Sequence, residues 1–449
     1  MDNRALQALP GSACASTLTS LALRPALGDV PSPRALAAVC ALTQLRRLSL
    51  VRLQVRALPR GMLAPLASLA GLTALELSAA VAGHHQALAA LAEALPALRE
   101  LHLGRAMPLD AGELGCLAEL PLLTSLRLHI QLGEVSRLGG LEVLEELRQL
   151  RSVDATLCGT RRPRAVGRLC AALPAGITAL ALREQSSSAA EPFGEGGLAA
   201  ASEAEAAATT WQGANLARLP ELRALEVTCG DGLSQPLLEA IFAAPSLESL
   251  TLASTASPPG GALLRCAGLS RLTRLTALSL ATPEGLGTDV LTAAGALASL
   301  QQLDLEANNS PARHDALAAW QLDARALAPL GCLRHLRHLK LWNASTLTRG
   351  GLERLAGLPA LRTLFLLHCS LRAEAAAGAL SSAHGLRRLV VHGQRVVASP
   401  KALDLLAPLA NLTHLSMMNP LPSKSRDMWS GALGSKKVGA PAGTCTAQR

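Results

Sequence analysis

One spacing of leucines constrains this chain more than any other feature. The pattern L-x-x-L-x-x-L-x-L stands intact at Leu42, Leu45, Leu48 and Leu50. It returns at Leu69/Leu72/Leu75/Leu77, Leu95/Leu98/Leu101/Leu103, Leu120/Leu123/Leu126/Leu128, Leu272/Leu275/Leu278/Leu280 and Leu297/Leu300/Leu303/Leu305. It continues at Leu333/Leu336/Leu339/Leu341, Leu358/Leu361/Leu364/Leu366 and Leu409/Leu412/Leu415/Met417, with looser copies such as Leu147/Leu150/Val153 and Leu386/Leu389/Val391. With a partial copy at Leu18/Leu21/Leu23, the chain carries fifteen rungs, and twelve of the fourteen intervals between them are 25 to 28 residues. So short a period in 449 residues argues against several globular cores, because repeats of this length grow by stacking.

In x-L-x-L-x the leucines point to one side and the x positions to the other, the alternation of a strand. Stacked rungs then form one parallel sheet, about 4.8 Å per rung. The rest of each period is amphipathic and helix-prone, as in Gln86-Ala-Leu-Ala-Ala-Leu-Ala-Glu-Ala-Leu95 and Gly351-Leu-Glu-Arg-Leu-Ala-Gly-Leu358. A helix is wider than a strand, so the helical side is expected to be convex and the sheet concave.

This pattern resembles the leucine-rich-repeat superfamily, intracellular type with a helical convex side, over roughly residues 15–420. The resemblance implies an α/β fold, a right-handed solenoid (horseshoe) of about 15 repeats with a parallel sheet on its concave face. The family consensus places Asn or Cys three residues past the last leucine. Cys158, Asn308 and Cys369 fill that position here, and Ala, Thr, Pro or Gln fill it elsewhere, so the polar ladder is incomplete.

Two long intervals divide the chain. Residues 1–182 read as N-terminal repeats and 183–215 as a mobile insertion rich in Ala, Ser and Glu, with a net charge of −4. Residues 216–420 read as C-terminal repeats with a longer return at 309–329, where Asp315-Ala-Leu-Ala-Ala-Trp-Gln-Leu322 reads as an extra helical turn. Residues 421–449 lack the period, carry a net charge of +4 and read as a disordered basic tail.

The net charge of +9 could indicate nucleic acid, but no dense Lys/Arg run occurs, so the charge reads as a solvated surface. No secretory signal and no run of 18 apolar residues is visible, which predicts no membrane span. The ten cysteines stand singly and include no C-x-x-C pair. They read as reduced thiols of a cytoplasmic protein, with Cys40, Cys116, Cys170, Cys266 and Cys332 packed in the core. Resemblance to repeat proteins of flagellated algae adds the cytoskeleton and the cilium axoneme as locations.

Catalytic signatures are missing: no G-x-S-x-G, phosphate-binding loop or H-E-x-x-H occurs. Gly194-Glu-Gly-Gly-Leu-Ala199 matches G-x-G-x-x-A but lies in the insertion with no strand before it, so no dinucleotide cofactor is expected. His338 and His392 fall two rungs apart, roughly 10 Å, too far to share a metal. Asp154 and Asp304 are five rungs apart, too distant for paired carboxylates. The chain reads as non-enzymatic, with no cofactor, metal or small-molecule substrate.

What remains is the outward side of the strands. From the Leu225 rung to the Leu278 rung it is small and bland. From the Leu339 rung onward it presents His338, Lys340, Trp342, Phe365, Leu367, Arg388, Val390, His392, His414 and Met418. A chain with three Phe, four Trp and no Tyr has placed one Phe and one Trp on neighbouring outward positions. Aromatic and Arg side chains make a binding surface, so these residues, Val390 excepted, are the candidate site for a protein partner, with a basic rim suited to an acidic one. The reading is an interaction scaffold. Its alternatives are a ubiquitin-ligase substrate adaptor, whose F-box would have no room before Leu18, and a regulator of a small GTPase.

Overall fold

The computed structural model describes residues 3–23, 32–50, 64–78, 84–104, 108–132, 140–159, 165–185, 215–229, 233–254, 266–282, 288–307, 321–343, 346–368, 371–393, 399–418 and 446–447. The chain divides into two compact units, Met1–Gly230 with Glu239–Ser246, and Asp231–Leu238 with Leu247–Arg449.

In the first unit the strands are β1 (Ser20–Leu23), β2 (Arg47–Leu50), β3 (Ala74–Leu77), β4 (Glu100–Leu103), β5 (Pro108–Asp110), β6 (Ser125–Leu132), β7 (Ser152–Gly159), β8 (Ala179–Gln185) and β9 (Ala224–Cys229). Every pairing is parallel, and the marker residues fall in one column: Leu21, Leu48, Leu75, Leu101, Leu126, Val153, Leu180, Leu225. The second unit holds β10 (Ser249–Ser254), β11 (Ala277–Thr282), β12 (Gln302–Ala307), β13 (Gln321–Leu322), β14 (His338–Trp342), β15 (Thr346–Leu347), β16 (Thr363–Leu367), β17 (Arg388–His392), β18 (His414–Met418) and β19 (Thr446–Ala447). Its column runs Leu250, Leu278, Leu303, Leu339, Leu364, Leu389, Leu415, again parallel throughout. β19 lies antiparallel along the free edge of β18. Each unit is thus a stack of repeats.

The strands form because alternation puts two leucines per rung out of water. Leu45, Leu48 and Leu50 are 0–1% exposed while Arg47 between them is exposed. Each such leucine contributes roughly 2 kcal/mol of burial, realised only when the next rung covers it.

The returns differ from the expectation of a helix in every period. Several tighten into 3-10 turns, among them Ala64–Ser68, Ala111–Glu119, Ala267–Arg271 and Ala328–Cys332. These turns bury leucines three apart, as Leu66/Leu69 and Leu114/Leu117, which fall on one edge of a three-fold helix. The α-helices Arg349–Ala356 and Ala373–Leu380 instead bury Leu352/Leu355/Ala356 and Ala373/Ala376/Ala377/Leu380, the i, i+3, i+4 spacing of an amphipathic face. Thr348 starts the first of them by accepting a hydrogen bond from the Gly351 amide at 3.2 Å.

Other sequence expectations shift. β8 runs through Gln185, so the first three residues of the expected insertion are strand, and 186–214 lie outside the described residues. The extra helical turn expected at 315–322 lies mostly outside them too. Its last residues, Gln321 and Leu322, are strand β13, paired with β15, because Leu322 is fully buried there. Cys332 is exposed, a correction to its expected core position: its 3-10 turn presents Leu330 inward instead. Cys116 is only partly buried, while Cys40, Cys170 and Cys266 are in the core as expected. Most of the expected disordered tail, 421–445 and 448–449, lies outside the described residues, and its Thr446–Ala447 is strand β19 instead. Among the described residues no helix is long and apolar enough to cross a membrane.

A candidate protein-binding surface

On the open face of the second unit, three rows of side chains run across β12, β14, β16, β17 and β18. The central row is Asp304, Lys340, Phe365, Val390 and Ser416. One flank is Gln302, His338, Thr363, Arg388 and His414; the other is Glu306, Trp342, Leu367, His392 and Met418. All nine candidate residues of β14 to β18 are therefore on one sheet face.

They are less exposed than outward positions usually are. Val390 and Ser416, both on the open face, are 5% and 9% exposed, so Val390 is not the surface residue its place in the alternation predicted. The aromatic rings are half-buried, each against a neighbour. His368 stacks on Trp342 with ring centroids 5.5 Å apart and 22° between planes. Lys340 Nζ lies 4.8 Å from the Trp342 ring centroid. His338 tilts against Phe365 at 5.3 Å, and the Arg388 guanidinium sits over the same ring at 5.2 Å.

The charges of β12 and β14 largely answer one another. Glu306 lies 3.9 Å from Lys340, and Asp304 Oδ1 lies 3.2 Å from His338 Nε2 without a hydrogen bond between them. Burial raises the Glu306 carboxyl above its ordinary range, with Lys340 opposing and Asp304 reinforcing. Burial also lowers the His392 pKa, helped by His368, and leaves its Nε2 sharing a hydrogen bond with Ser416 at 3.2 Å. His414 is lowered by slight burial and by Arg388. Both shifts favour the neutral imidazole, so the cations of this face are Lys340, which lies beside Glu306, and Arg388.

His368 is a site residue that alternation did not reveal. It follows β16 with φ 53°, as Asn343 follows β14 with φ 57°. Both leave the sheet through the left-handed region, where Asn and His are the better-tolerated side chains. Asn343 is held by a bond from its side-chain amide to the Ala307 carbonyl at 2.7 Å. That shared turn swings the imidazole onto the indole. The signal in the sequence was a polar residue after each of two consecutive strands.

No family model and no curated protein matches this chain.

The first unit's open face is a ladder of polar groups. Its central row reads Ser49, Glu76, His102, Arg127, Asp154, Ala181 and Glu226. Ser49 donates to Glu76 at 2.6 Å, and Arg127 to Asp154 at 2.6 Å. Where Ala181 would break the row, Arg183 from the same strand bridges Asp154 and Glu226, the latter at 2.9 Å. Burial raises the Asp154 carboxyl, but the two guanidiniums outweigh it and hold it below its ordinary range. Hydrogen bonding to Asp154 pushes Arg183 further up. Burial, then Arg127, lowers His102 against the pull of Glu76, Glu100 and Asp154. These groups satisfy one another and leave little for a ligand. Among the described residues no three His, Cys, Asp or Glu side chains gather where they could hold a metal ion.

Proposed function

We propose that the repeats are leucine-rich repeats in a right-handed solenoid and that the chain is a non-enzymatic, cytoplasmic interaction scaffold. Its partner is a protein, bound on the open face of β14 to β18. The carrying observation is the Trp342/His368 and Phe365/Arg388 stacks, aromatic anchors held rigid beside a cationic edge. Anchors that lose little rotamer freedom on association are what binding hot spots are built from. The bland rungs β10 and β11, with Thr251, Ala253, Ser279 and Ala281 outward, offer no comparable group.

The test is capture of a partner by the immobilised full chain, compared across Trp342→Ala, Thr251→Ala and the unaltered protein. Trp342→Ala should weaken capture about 30-fold, the 2 kcal/mol or more typical of a central aromatic. Thr251→Ala should leave it unchanged. Equal capture by all three folded proteins would place the binding surface elsewhere.

A further inference from the structure

One position of every rung lies just before the paired strand residues, and its backbone is fixed by the rung before it. In the first unit this position alternates: Arg46, Thr73, Arg99, Thr124, Arg151, Thr178, Arg223, each amide bonding the preceding carbonyl at 2.8–2.9 Å. The threonine hydroxyls donate to the same carbonyls, Thr73 to Arg46, Thr124 to Arg99 and Thr178 to Arg151. Arginines are thereby kept two rungs apart, about 10 Å. Two of them are also latched, Arg46 onto the Gly71 carbonyl at 2.8 Å and Arg151 onto the Gly176 carbonyl at 2.9 Å. The glycines make room for this: a Cβ at Gly71 or Gly176 would lie 2.2 Å or 1.8 Å from the guanidinium.

The last rungs abandon the alternation. Here the column reads Arg337, Arg362, Arg387, with the Arg362 amide on the Arg337 carbonyl and the Arg387 amide on the Arg362 carbonyl. Three arginines thus stand on consecutive rungs, about 4.8 Å apart. All three are exposed, and none makes an ion pair or side-chain hydrogen bond among the described residues. The latch is gone too. Ala360 stands where Arg337 would need a glycine, and the space at Gly385 is bounded by the Leu361 carbonyl rather than by Arg362. Arg388 extends the column onto the open face, its guanidinium laid on Phe365. A guanidinium stacked on a ring keeps its in-plane N–H groups free for a carboxylate. Like charges side by side on neighbouring strands oppose folding, so this column stores a repulsion that an anionic partner would relieve.

We infer that Arg337, Arg362, Arg387 and Arg388 receive an acidic protein segment, a row of Asp or Glu side chains running across the rungs. This rests on the proposed scaffold function and specifies its partner. Carboxylates one helical turn apart, about 5.4 Å, match the 4.8 Å arginine step within the reach of the side chains. Single-stranded nucleic acid fits less well, because it needs bare aromatic rings to stack on, and both rings here already have a neighbour packed against them.

The experiment is fluorescence anisotropy on the full chain with a labelled helical peptide carrying glutamates one turn apart on one face. A glutamine version of the peptide and a labelled oligothymidine of equal charge serve as competitors in kind. The glutamate peptide should bind, and the glutamine peptide at least about ten-fold more weakly. Arg362→Gln alone should cost about five-fold, and the triple change Arg337→Gln, Arg362→Gln, Arg387→Gln at least about 30-fold, since exposed charge pairs contribute modestly but together. Arg99→Gln, an exposed arginine of the alternating unit, should change nothing. Arg362→Gln should melt no lower than the unaltered chain, because it removes repulsion rather than a contact. The inference is overturned if the glutamine peptide binds equally, if Arg99→Gln matters as much as the triple change, or if oligothymidine binds tighter than the glutamate peptide. Capture that depends on Trp342 without binding of the glutamate peptide would sink this inference and leave the scaffold standing. Arginine-dependent peptide binding with Trp342-independent capture would do the reverse.

Discussion

The imidazole of His368 lies nearly parallel to the indole of Trp342, 5.5 Å away, and reaches it only because His368 adopts φ 53°. A non-glycine residue in that region carries strain on the order of 1 kcal/mol. His368→Gly removes both the strain and the stack, so its melting temperature should stay within about 2 °C of the unaltered chain. Partner capture should nevertheless fall several-fold, because Trp342 loses the surface that holds its rotamer. Capture that survives His368→Gly intact would mean that the stack is not part of the binding surface.

Leu303 is fully buried on β12 between Leu278 and Leu339. Leu303→Asp places an unpaired carboxylate there and should cost at least about 4 kcal/mol. Leu403→Asp, at a side chain 42% exposed on the helix Pro400–Leu406, should cost less than about 0.5 kcal/mol. Denaturant midpoints of the two variants check the contrast, and comparable losses would show the rung's inner face misassigned.

The leucine columns were legible because burial by alternation depends on a residue's own position and on a fixed period. Leu278, Leu303 and Leu339 land in one register although the return between the last two is longer. The candidate face was legible for the same reason, as far as which side of the strand each residue takes. Pairing was not. Whether Lys340 faces solvent or Glu306, and whether Arg183 spans the gap at Ala181, depends on which rung becomes the neighbour and on rotamers. Nor did alternation reach His368, which lies beyond the strand in a backbone conformation that pattern alone does not announce. Nor did spacing separate the 3-10 returns from the α-helical ones, since leucines three apart stand both at Leu66, Leu69 and Leu72 and at Leu352, Leu355 and Leu358.

The thiols should separate cleanly by reactivity. Burial pushes Cys40 up to about 11 and both Cys170 and Cys266 up to about 12, so at pH 8 almost none of these is thiolate. Cys14 and Cys332 are exposed. Brief alkylation of the native protein, read by peptide mass spectrometry, should mark Cys14 and Cys332 and leave the other three until denaturant is added. Rapid native labelling of Cys170 would show that its rung opens far more readily than its packing allows.

Asp154 gives the first unit a measurable acid sensitivity. Its side chain is 13% exposed and accepts from both Arg127 and Arg183, which hold its pKa below the ordinary carboxylate value despite burial. A carboxyl whose folded pKa is lowered stabilises the fold above its unfolded value, about 3.9, and loses that contribution as pH falls through the folded value. Asp154→Asn should therefore cost about 1–2 kcal/mol near neutral pH, a figure kept small because Arg127 and Arg183 are 49% and 35% exposed. The two arginines would then confront each other without the charge between them. Glu226→Gln should cost less, since Glu226 is 41% exposed and among the described residues meets only Arg183. Urea midpoints at pH 7 and at successively lower pH decide the matter: the gap between the unaltered chain and Asp154→Asn should be clear at pH 7 and narrow as pH falls below about 3.9. A gap that persists unchanged at the lower pH would mean that Asp154 acts through its shape and hydrogen bonds, with its charge contributing nothing.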